Sequence, residues 1–371
     1  MSGSIATTDV HVLGAGIAGL TAAVALRRAG REVTVLERAP ALAEVGAGIQ
    51  IAPNGARILD ALDITVDHVV SEAIHLIDGP TGRSLIRMRP PGDFRMCHRA
   101  DLIAALRDAA IGAGADLRLD ATVERITPDS IVLGSERVPR ERLIGSDGAR
   151  GAARAFVAPK YEGRFTGQVA WRAMVPAPPD WPREAQIHVG PGRHLVVYPL
   201  RGGTVLNLVG VEERTEWAAE DWSQEDDPAN LRTAFAGYSD GIRSLLAAVD
   251  SVHLWGLMDH GVTEAWTRDG VTLIGDAAHP TLPFLAQGAN LALEDAFLIA
   301  RHLDDPAAYE ALRRPRVTRA LAAAADNARN YHLRGARARA AHVALRMAAR
   351  VAPDAMAARY RWLYEYDATA G

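Results

Sequence analysis

A glycine-rich run between two apolar segments constrains the fold of this 371-residue sequence more than any other feature. The run follows the short apolar segment Asp9 to Leu13 and contains Gly14, Gly16 and Gly19. An amphipathic segment and a second β-like segment come next and finish in Glu37, which lies 37 − 14 = 23 positions after the first glycine. A strand, a tight turn, a helix, a strand and an acidic residue at these spacings are the fingerprint of a dinucleotide-binding βαβ unit.

Each residue of this fingerprint has a physical task. Gly14 permits the tight turn, Gly16 lets backbone N–H groups approach a pyrophosphate, and Gly19 allows the helix to pack on the strand. Glu37 is expected to accept a hydrogen bond from a ribose hydroxyl. Arg38 could lie against an adenine or be a solvated residue after a strand. The sequence therefore predicts a Rossmann-like α/β domain that binds the ADP moiety of a cofactor.

A second informative stretch extends from Gly270 to Leu303. An apolar run stops at Gly275-Asp276, a proline-rich loop follows, and the periodicity predicts a helix of about four turns that begins near Gly288. A short carboxylate, a glycine and a helix N-terminus suit a ligand with ribityl hydroxyls at one end and developing negative charge at the other. Reduced flavin is such a ligand. Taken alone, these residues could equally form a strand-ending turn and a helix N-cap.

Three further segments contain candidate contacts to a cofactor. Closely spaced glycines around Gly48 indicate backbone that lies against a flat ligand. Arg99, at the start of a predicted helix, could reach a phosphate or a flavin edge, or be a surface residue near an N-cap. Asp147-Gly148 follows an apolar strand and could form a plain turn or lie beside the cofactor.

Residues 160–255 are rich in aromatic and β-branched side chains and predict a sheet. The clearest unit is a hairpin with strands at Arg193–Leu200 and Thr204–Val211 around a Gly202-Gly203 turn. His194 and Tyr198 are four positions apart on the first strand and must share one face. Without other information, such a pair is more often solvated or packed than catalytic.

Composition narrows the function classes. With 49% hydrophobic residues, 23% charged residues and a net charge of −4, the chain offers no electrostatic basis for binding nucleic acid or an anionic membrane. The lone Cys97 excludes an internal disulfide and a cysteine-based metal cluster, and we expect no metal site. No apolar run approaches the roughly 18 residues of a membrane helix, and the first eight residues do not form a signal peptide. We expect a cytoplasmic enzyme, either a monomer or a homodimer.

Residues 306–371 are rich in alanine and arginine and have helical periodicity. Their arginines most simply coat a solvated face.

Three separated motifs resemble those of the single-component flavoprotein aromatic hydroxylases, the p-hydroxybenzoate hydroxylase family. The motifs are the Gly14 to Gly19 fingerprint with Glu37, the Asp147-Gly148 stretch with its arginines, and the run Gly275 to Pro280. Four further segments are most similar to the hydroxylases of salicylate, 3-hydroxybenzoate and 6-hydroxynicotinate: Gly46 to Asn54, Trp171-Arg172, His194 to Gly203 and Pro283 to Gly288. Gly151 and Ala152 depart from the pattern, because many relatives have a serine there.

The resemblance implies an α/β fold in which an FAD-binding Rossmann-like domain of the glutathione-reductase type is interleaved with a β-sheet substrate domain, followed by a helical C-terminal segment. Residues 1–70, 98–158 and 256–305 would form the FAD-binding domain. Residues 71–97 and 159–255 would form the substrate domain, and residues 306–371 the C-terminal helices.

The resemblance also implies roles for individual residues. Glu37 and Arg38 would hold the adenosine end of FAD, and Arg99 would contact the cofactor. Asp147 would lie near the pyrophosphate and the entering nicotinamide nucleotide, and Gly275-Asp276 would bind the ribityl chain or the pyrophosphate. The flavin ring would lie against Pro283 and the backbone from Gln287 to Asn290, which includes Gly288 and Ala289. His194, as general base, and Tyr198 would face the substrate hydroxyl.

The implied reaction is hydroxylation of a small phenolic or N-heteroaromatic carboxylic acid by dioxygen through a C4a-hydroperoxyflavin. FAD would be bound non-covalently, and NAD(P)H would be a co-substrate that binds only transiently. Three alternatives remain open at this point. They are an NAD-dependent dehydrogenase, a flavoprotein of the same fold with other chemistry, and a non-catalytic flavin-binding protein. Halogenation by this fold would need a lysine near the site, and Lys160 is the only candidate.

Overall fold

The computed structural model describes residues 8–42, 47–159, 163–216 and 224–370. In these ranges the strands are β1 (Val10–Leu13), β2 (Val33–Leu36), β3 (Gly48–Ile51), β4 (His68–Val70), β5 (Ala73–Asp78), β6 (Arg83–Met88), β7 (Arg95–His98), β8 (Asp116–Arg118), β9 (Arg125–Ile126), β10 (Ser130–Leu133), β11 (Glu136–Pro139), β12 (Arg142–Gly145), β13 (Arg164–Pro176), β14 (Glu184–Gly190), β15 (Arg193–Leu200), β16 (Val205–Glu213), β17 (Glu225–Asp226), β18 (Val252–Asp259), β19 (Thr267–Arg268) and β20 (Val271–Leu273). The α-helices are α1 (Ile17–Arg28), α2 (Pro53–Ala61), α3 (Arg99–Gly112), α4 (Ala152–Val157), α5 (Pro228–Ala234), α6 (Asp240–Ala247), α7 (Gly288–Arg301), α8 (Pro306–Tyr331), α9 (Gly335–Val351), α10 (Ala355–Ala358) and α11 (Arg361–Tyr364). Short 3₁₀ turns lie at Arg201–Gly203, Gly275–Ala277 and Pro283–Leu285.

The glycine-rich run forms the predicted βαβ unit of a six-stranded sheet. The strand order is β19-β20-β12-β1-β2-β8, and every pair except the antiparallel pair β19–β20 is parallel. Strands β1 and β2 are buried along their whole length because helices cover the sheet. The parallel strands therefore end together at one edge, where Gly14 and Ser146 follow β1 and β12.

The predicted hairpin lies in a second, eight-stranded sheet. Its order is β17-β18-β13-β16-β15-β14-β5-β6, and only β14 and β5 are paired in parallel. Leu195 and Val197 point to one face and pack beneath α5 and α6, so His194 and Tyr198 point to the other. The strand-rich character of residues 160–255 did not predict these two helices, which cover the face of the sheet away from His194.

A three-stranded sheet, β3-β7-β4, lies against the hairpin. The Gly48 N–H group of β3 donates to the Asn207 side chain of β16 at 2.7 Å. Strand β7 crosses the predicted domain limit between residues 97 and 98. The limits of the two domains therefore stay a prediction.

The C-terminal segment is helical, as the periodicity predicts. The prediction that its arginines coat a solvated face is wrong for Arg313 and Arg316, whose side chains are 0% and 9% exposed. Both pair with the fully buried Glu294, and Arg313 also pairs with the buried Asp295. Carboxylates enclosed in a protein interior require cationic partners, and α8 supplies them to α7. In the described parts of the chain, no helix is both long and apolar enough to cross a membrane.

Candidate active site

A cavity of about 820 Å³ lies between the carboxyl edge of the parallel sheet, the start of α7 and the His194 face of the eight-stranded sheet. Most of the residues that the sequence indicates line it. They are Gly14, Gly16, Glu37, Arg38, Gly48, Arg99, Asp147, His194, Tyr198, Asp276, Pro283, Gly288 and Ala289. Gly19, Gly275 and Asn290 do not line this cavity, but each contacts a residue that does.

The glycine loop is shaped by close backbone contacts. Gly14 has a φ of 99°, which favours glycine. A Cβ atom on Gly19 would lie 1.9 Å from the Gly14 carbonyl oxygen, so a side chain there would displace the loop. A Cβ atom on Gly16 would meet nothing within 4 Å and would project into open space. The loop therefore leaves room for a phosphate to approach its backbone.

The Glu37 carboxylate has a structural role that the sequence did not indicate. It accepts hydrogen bonds from the backbone N–H groups of Ala15 at 2.7 Å and Ala39 at 2.8 Å. These bonds fix the glycine loop to the end of β2. A carboxylate oxygen accepts more than one hydrogen bond, so the predicted contact to a ribose hydroxyl is compatible with this arrangement. Arg38 is exposed at the rim.

Asp147 contributes a buried acceptor to the cavity wall. One carboxylate oxygen accepts from the Ala153 N–H group at 3.0 Å, and the other has no hydrogen-bond partner among the described residues. Burial raises the pKa of this carboxyl to about 6. A Cβ atom on Gly151 would lie 2.0 Å from the Asp147 carboxyl carbon, which explains the glycine at this position.

Asp276 lies in the turn that follows β20. Its carboxylate faces the cavity and is therefore accessible. The protein around the cavity desolvates the carboxylate, which raises its pKa. The positive fields of His279 and Arg99 oppose this rise. Arg99 is half-buried and lines the cavity at the start of α3, and its contact with the cofactor stays a prediction.

The start of α7 presents backbone donors to the cavity. Gly288 and Ala289 line it, and no side chain of the described chain caps the helix at Gln287. The first N–H groups of a helix have no partner within it and lie at the positive end of its dipole. The Asn290 side chain points the other way, because it bonds the backbone of Ala52 at 2.9 Å and of Ala286 at 2.6 Å.

These features fit FAD. The open glycine loop and Glu37 suit the ADP moiety, and the orphaned Asp147 oxygen and the cavity-facing Asp276 carboxylate suit hydroxyl donors. The uncapped start of α7 suits the part of the cofactor that becomes negatively charged on reduction.

The opposite wall contains the histidine and tyrosine of the hairpin. The His194 ring packs against the rings of Phe284 and Tyr331, with centroids 5.7 and 5.1 Å away. Burial lowers the pKa of His194 well below 6.5, so its imidazole is neutral at pH 7. Tyr198 is also buried, which raises its pKa and keeps its hydroxyl protonated. A Cβ atom on Gly48 would lie 2.7 Å from that hydroxyl oxygen, so Tyr198 fills the space that the glycine leaves.

Two further residues lie at this wall: His332, which the sequence did not indicate, and Arg172, which belongs to the family-like Trp171-Arg172 segment and is one possible partner of a substrate carboxylate. His332 follows α8, and its Nε2 atom lies 2.8 Å from Nδ1 of His194. Because 138 positions separate the two histidines, no local pattern could pair them. Arg172 of β13 lines the cavity, with its guanidinium 4.9 Å from the Trp255 ring centroid. Its charge opposes the rise in the pKa of Tyr198.

Two predictions fall on positions outside the described residues. These are Lys160, as the lysine of a halogenase, and the beginning of the Gly46 to Asn54 stretch.

Comparisons with known protein families, sequences and structures agree with one another. The FAD binding domain family matches residues 7–323. A 3-amino-4-hydroxybenzoate 2-monooxygenase of Streptomyces cremeus is 35% identical to this chain over 354 residues, which cover 87% of this chain and 88% of that enzyme. A 3-hydroxybenzoate 6-hydroxylase of Polaromonas naphthalenivorans (strain CJ2) is 35% identical in a 374-residue alignment that covers 90% and 91%. A solved salicylate hydroxylase substrate complex has the same fold, with a TM-score of 0.82 at 20% identity over 99% of this chain and 97% of that chain.

Proposed function

Because this chain belongs to the FAD-binding family of flavoprotein aromatic hydroxylases and is an FAD-dependent aromatic monooxygenase, we propose that it hydroxylates a small phenolic or N-heteroaromatic carboxylic acid. NAD(P)H and dioxygen are its co-substrates. One observation carries the proposal: a continuous cavity joins the glycine loop at Gly16 to the sheet face with His194 and Arg172. A cofactor and an aromatic acid in that space would lie side by side.

At the cofactor end, the chain must stabilise negative charge on the reduced ring. The N–H groups at Gly288 and Ala289 suit this task, because they lie at the positive end of α7. A helix end of this kind stabilises one charge by about 0.3–2 kcal/mol. Bound reduced FAD would supply, with dioxygen, an electrophilic oxygen atom for the aromatic ring. Pro283 lines the same cavity and would limit the space around that atom.

At the substrate end, the chain must make the ring electron-rich by removing its hydroxyl proton. His194 is suited to accept this proton, because it is neutral at pH 7 and its Nδ1 atom is engaged by His332, which leaves Nε2 for a ligand in the cavity. Tyr198 remains protonated and can donate a hydrogen bond that orients the substrate. Arg172 lines the same cavity and places a positive charge near Tyr198, which favours an anionic carboxylate.

The test is a screen of the purified protein with FAD. Hydroxybenzoates, aminohydroxybenzoates and hydroxypyridine carboxylates are offered one at a time, with NADH or NADPH, and oxygen uptake is recorded. We expect at least one acid to accelerate NAD(P)H oxidation and to give a product heavier by one oxygen atom in the mass spectrum. Oxidation of NAD(P)H without a hydroxylated product from any acid would contradict the proposal and favour an oxidase or a reductase.

A second experiment addresses the substrate carboxylate. Arg172→Met should raise the KM for the acid by about 10- to 10²-fold, because a hydrogen bond to a charged group contributes about 1.5–3 kcal/mol. The KM for the same phenol without its carboxyl group should not change. Arg164→Met is the control, because Arg164 lies on the same strand but its side chain is 83% exposed. Equal losses for the acid and the uncharged phenol would remove Arg172 from carboxylate recognition.

A further inference from the structure

A row of hydrogen-bonded side chains leads from the cavity to the protein surface. Nδ1 of His194 lies 2.8 Å from Nε2 of His332, and Nδ1 of His332 lies 3.1 Å from a carboxylate oxygen of Glu213. The other oxygen of Glu213 accepts from Arg334 at 2.6 Å. The side chains become more exposed along the row, from 2% for His332 to 40% for Glu213 and 62% for Arg334. The row therefore starts at a buried base and ends in water.

The backbone holds this row in place from three elements. Glu213 is the last residue of β16, His332 follows α8, and Arg334 precedes α9. The Gly192 N–H group donates to the His332 carbonyl at 3.3 Å, and the Glu213 N–H group donates to the Gly192 carbonyl at 2.9 Å. A Cβ atom on Gly192 would lie 2.0 Å from the Arg334 guanidinium, so the glycine makes room for the row.

A base at the position of His194 needs a route by which the proton that it accepts can leave. Its ring is enclosed by Phe284, Tyr331 and His332, so a proton that stayed on it would leave a buried cation. His332 faces the carboxylate of Glu213 but also the positive charges of Arg193 and Arg334. A second proton would therefore not be stable on either imidazole. The carboxylate of Glu213, in contrast, is in contact with solvent.

On the basis of the hydroxylation proposed above, we propose that His194, His332 and Glu213 conduct the proton of the substrate hydroxyl between the cavity and solvent. His194 is then a catalytic residue, and His332 and Glu213 act through it.

The transfer balances as four coupled proton transfers, the last of which is to water. The substrate O–H bond breaks and its proton joins Nε2 of His194, while the proton on Nδ1 of His194 moves to Nε2 of His332. The proton on Nδ1 of His332 moves to Glu213, which releases it to water. The substrate is left as an anion, and no imidazole acquires a net charge. The row runs in reverse when the product hydroxyl takes up a proton, and this resets both imidazoles.

The test measures proton release directly. Oxidised holoenzyme is mixed in a stopped-flow instrument with the hydroxybenzoate that stimulates it most, in weak buffer with phenol red. Wild type should release a proton as the substrate binds. His332→Gln should slow that release and the hydroxylation step by about 10²-fold, with little change in KM, because one relay group is lost. Added imidazole should restore the release rate in His332→Ala, which a purely structural role would not allow.

Glu213→Gln keeps a hydrogen-bond acceptor for His332 but cannot take up its proton, so it should slow release as well. Glu212→Gln is the matched control, because Glu212 pairs with Arg193 and Arg214 instead of the histidines. Release at the wild-type rate in both His332→Gln and Glu213→Gln would overturn the relay. If the wild type hydroxylates normally in that case, the proposed function stands without the relay. A wild type that hydroxylates no acid would overturn both.

Discussion

Replacing His194 by Asn should leave FAD bound and slow hydroxylation by about 10²- to 10⁴-fold, the usual contribution of a general base. The Asn amide can still form a hydrogen bond with His332 but cannot accept the substrate proton. The substrate would therefore remain a neutral phenol, which is less reactive than its anion. The measurement is single-turnover hydroxylation of an acid from the screen, with flavin absorbance as the check on cofactor content.

The matched control for this variant is His188→Asn. His188 is a buried histidine on the neighbouring strand β14, and its Nε2 atom bonds the Gln186 side chain at 3.0 Å. It does not line the cavity. We expect His188→Asn to hydroxylate at the wild-type rate. Similar losses in both variants would mean that damage to the sheet, rather than loss of a base, explains the effect.

The cofactor half of the site was predictable because its constraints are local in sequence. The turn at Gly14, the close contact at Gly19 and the carboxylate of Glu37 belong to one strand-helix-strand unit, so their spacing indicates their arrangement. The start of α7 was predictable for the same reason. The family resemblance drawn from three such motifs is confirmed, and with it FAD as the cofactor.

The substrate half was predictable only in part. Alternation along β15 placed His194 and Tyr198 on one face, but a strand pattern cannot tell which face lines a cavity. His332 and Arg172 reach the site from distant elements, and their contacts depend on how the helices and the sheet pack. The individual roles of these residues stay predictions until variants are measured.

Charge burial was the other property that the sequence did not reveal. The arginines of an alanine- and arginine-rich helix are normally exposed to water. The sequence pattern gave no reason to expect that Arg313 would differ from the others. Its burial follows from α7, which packs between other elements and directs Glu294 and Asp295 inward. Only the tertiary packing of α8 on α7 brings the opposite charges together.

Replacing Arg313 by Met should lower the free energy of unfolding by about 3–5 kcal/mol, because it removes one partner from a fully buried charge cluster. Arg313 donates to Asp295 at 2.7 Å and to Glu294 at 2.6 Å, and all three side chains are 0% exposed. Methionine has a similar length but cannot compensate either carboxylate. The measurement is the shift of the urea midpoint, compared with that of Arg314→Met.

Arg314 is the neighbouring control, because its side chain is 40% exposed and it pairs with Glu310 on the helix surface. Such a pair contributes about 0–1 kcal/mol. The cluster also reaches the cofactor site, because Asp295 accepts hydrogen bonds from the Gly275 N–H group at 2.9 Å and from His279 at 2.5 Å. Arg313→Met should therefore also weaken FAD binding through the turn that positions Asp276. Equal midpoints for the two variants would mean that Arg316 and His279 are sufficient to compensate the buried carboxylates.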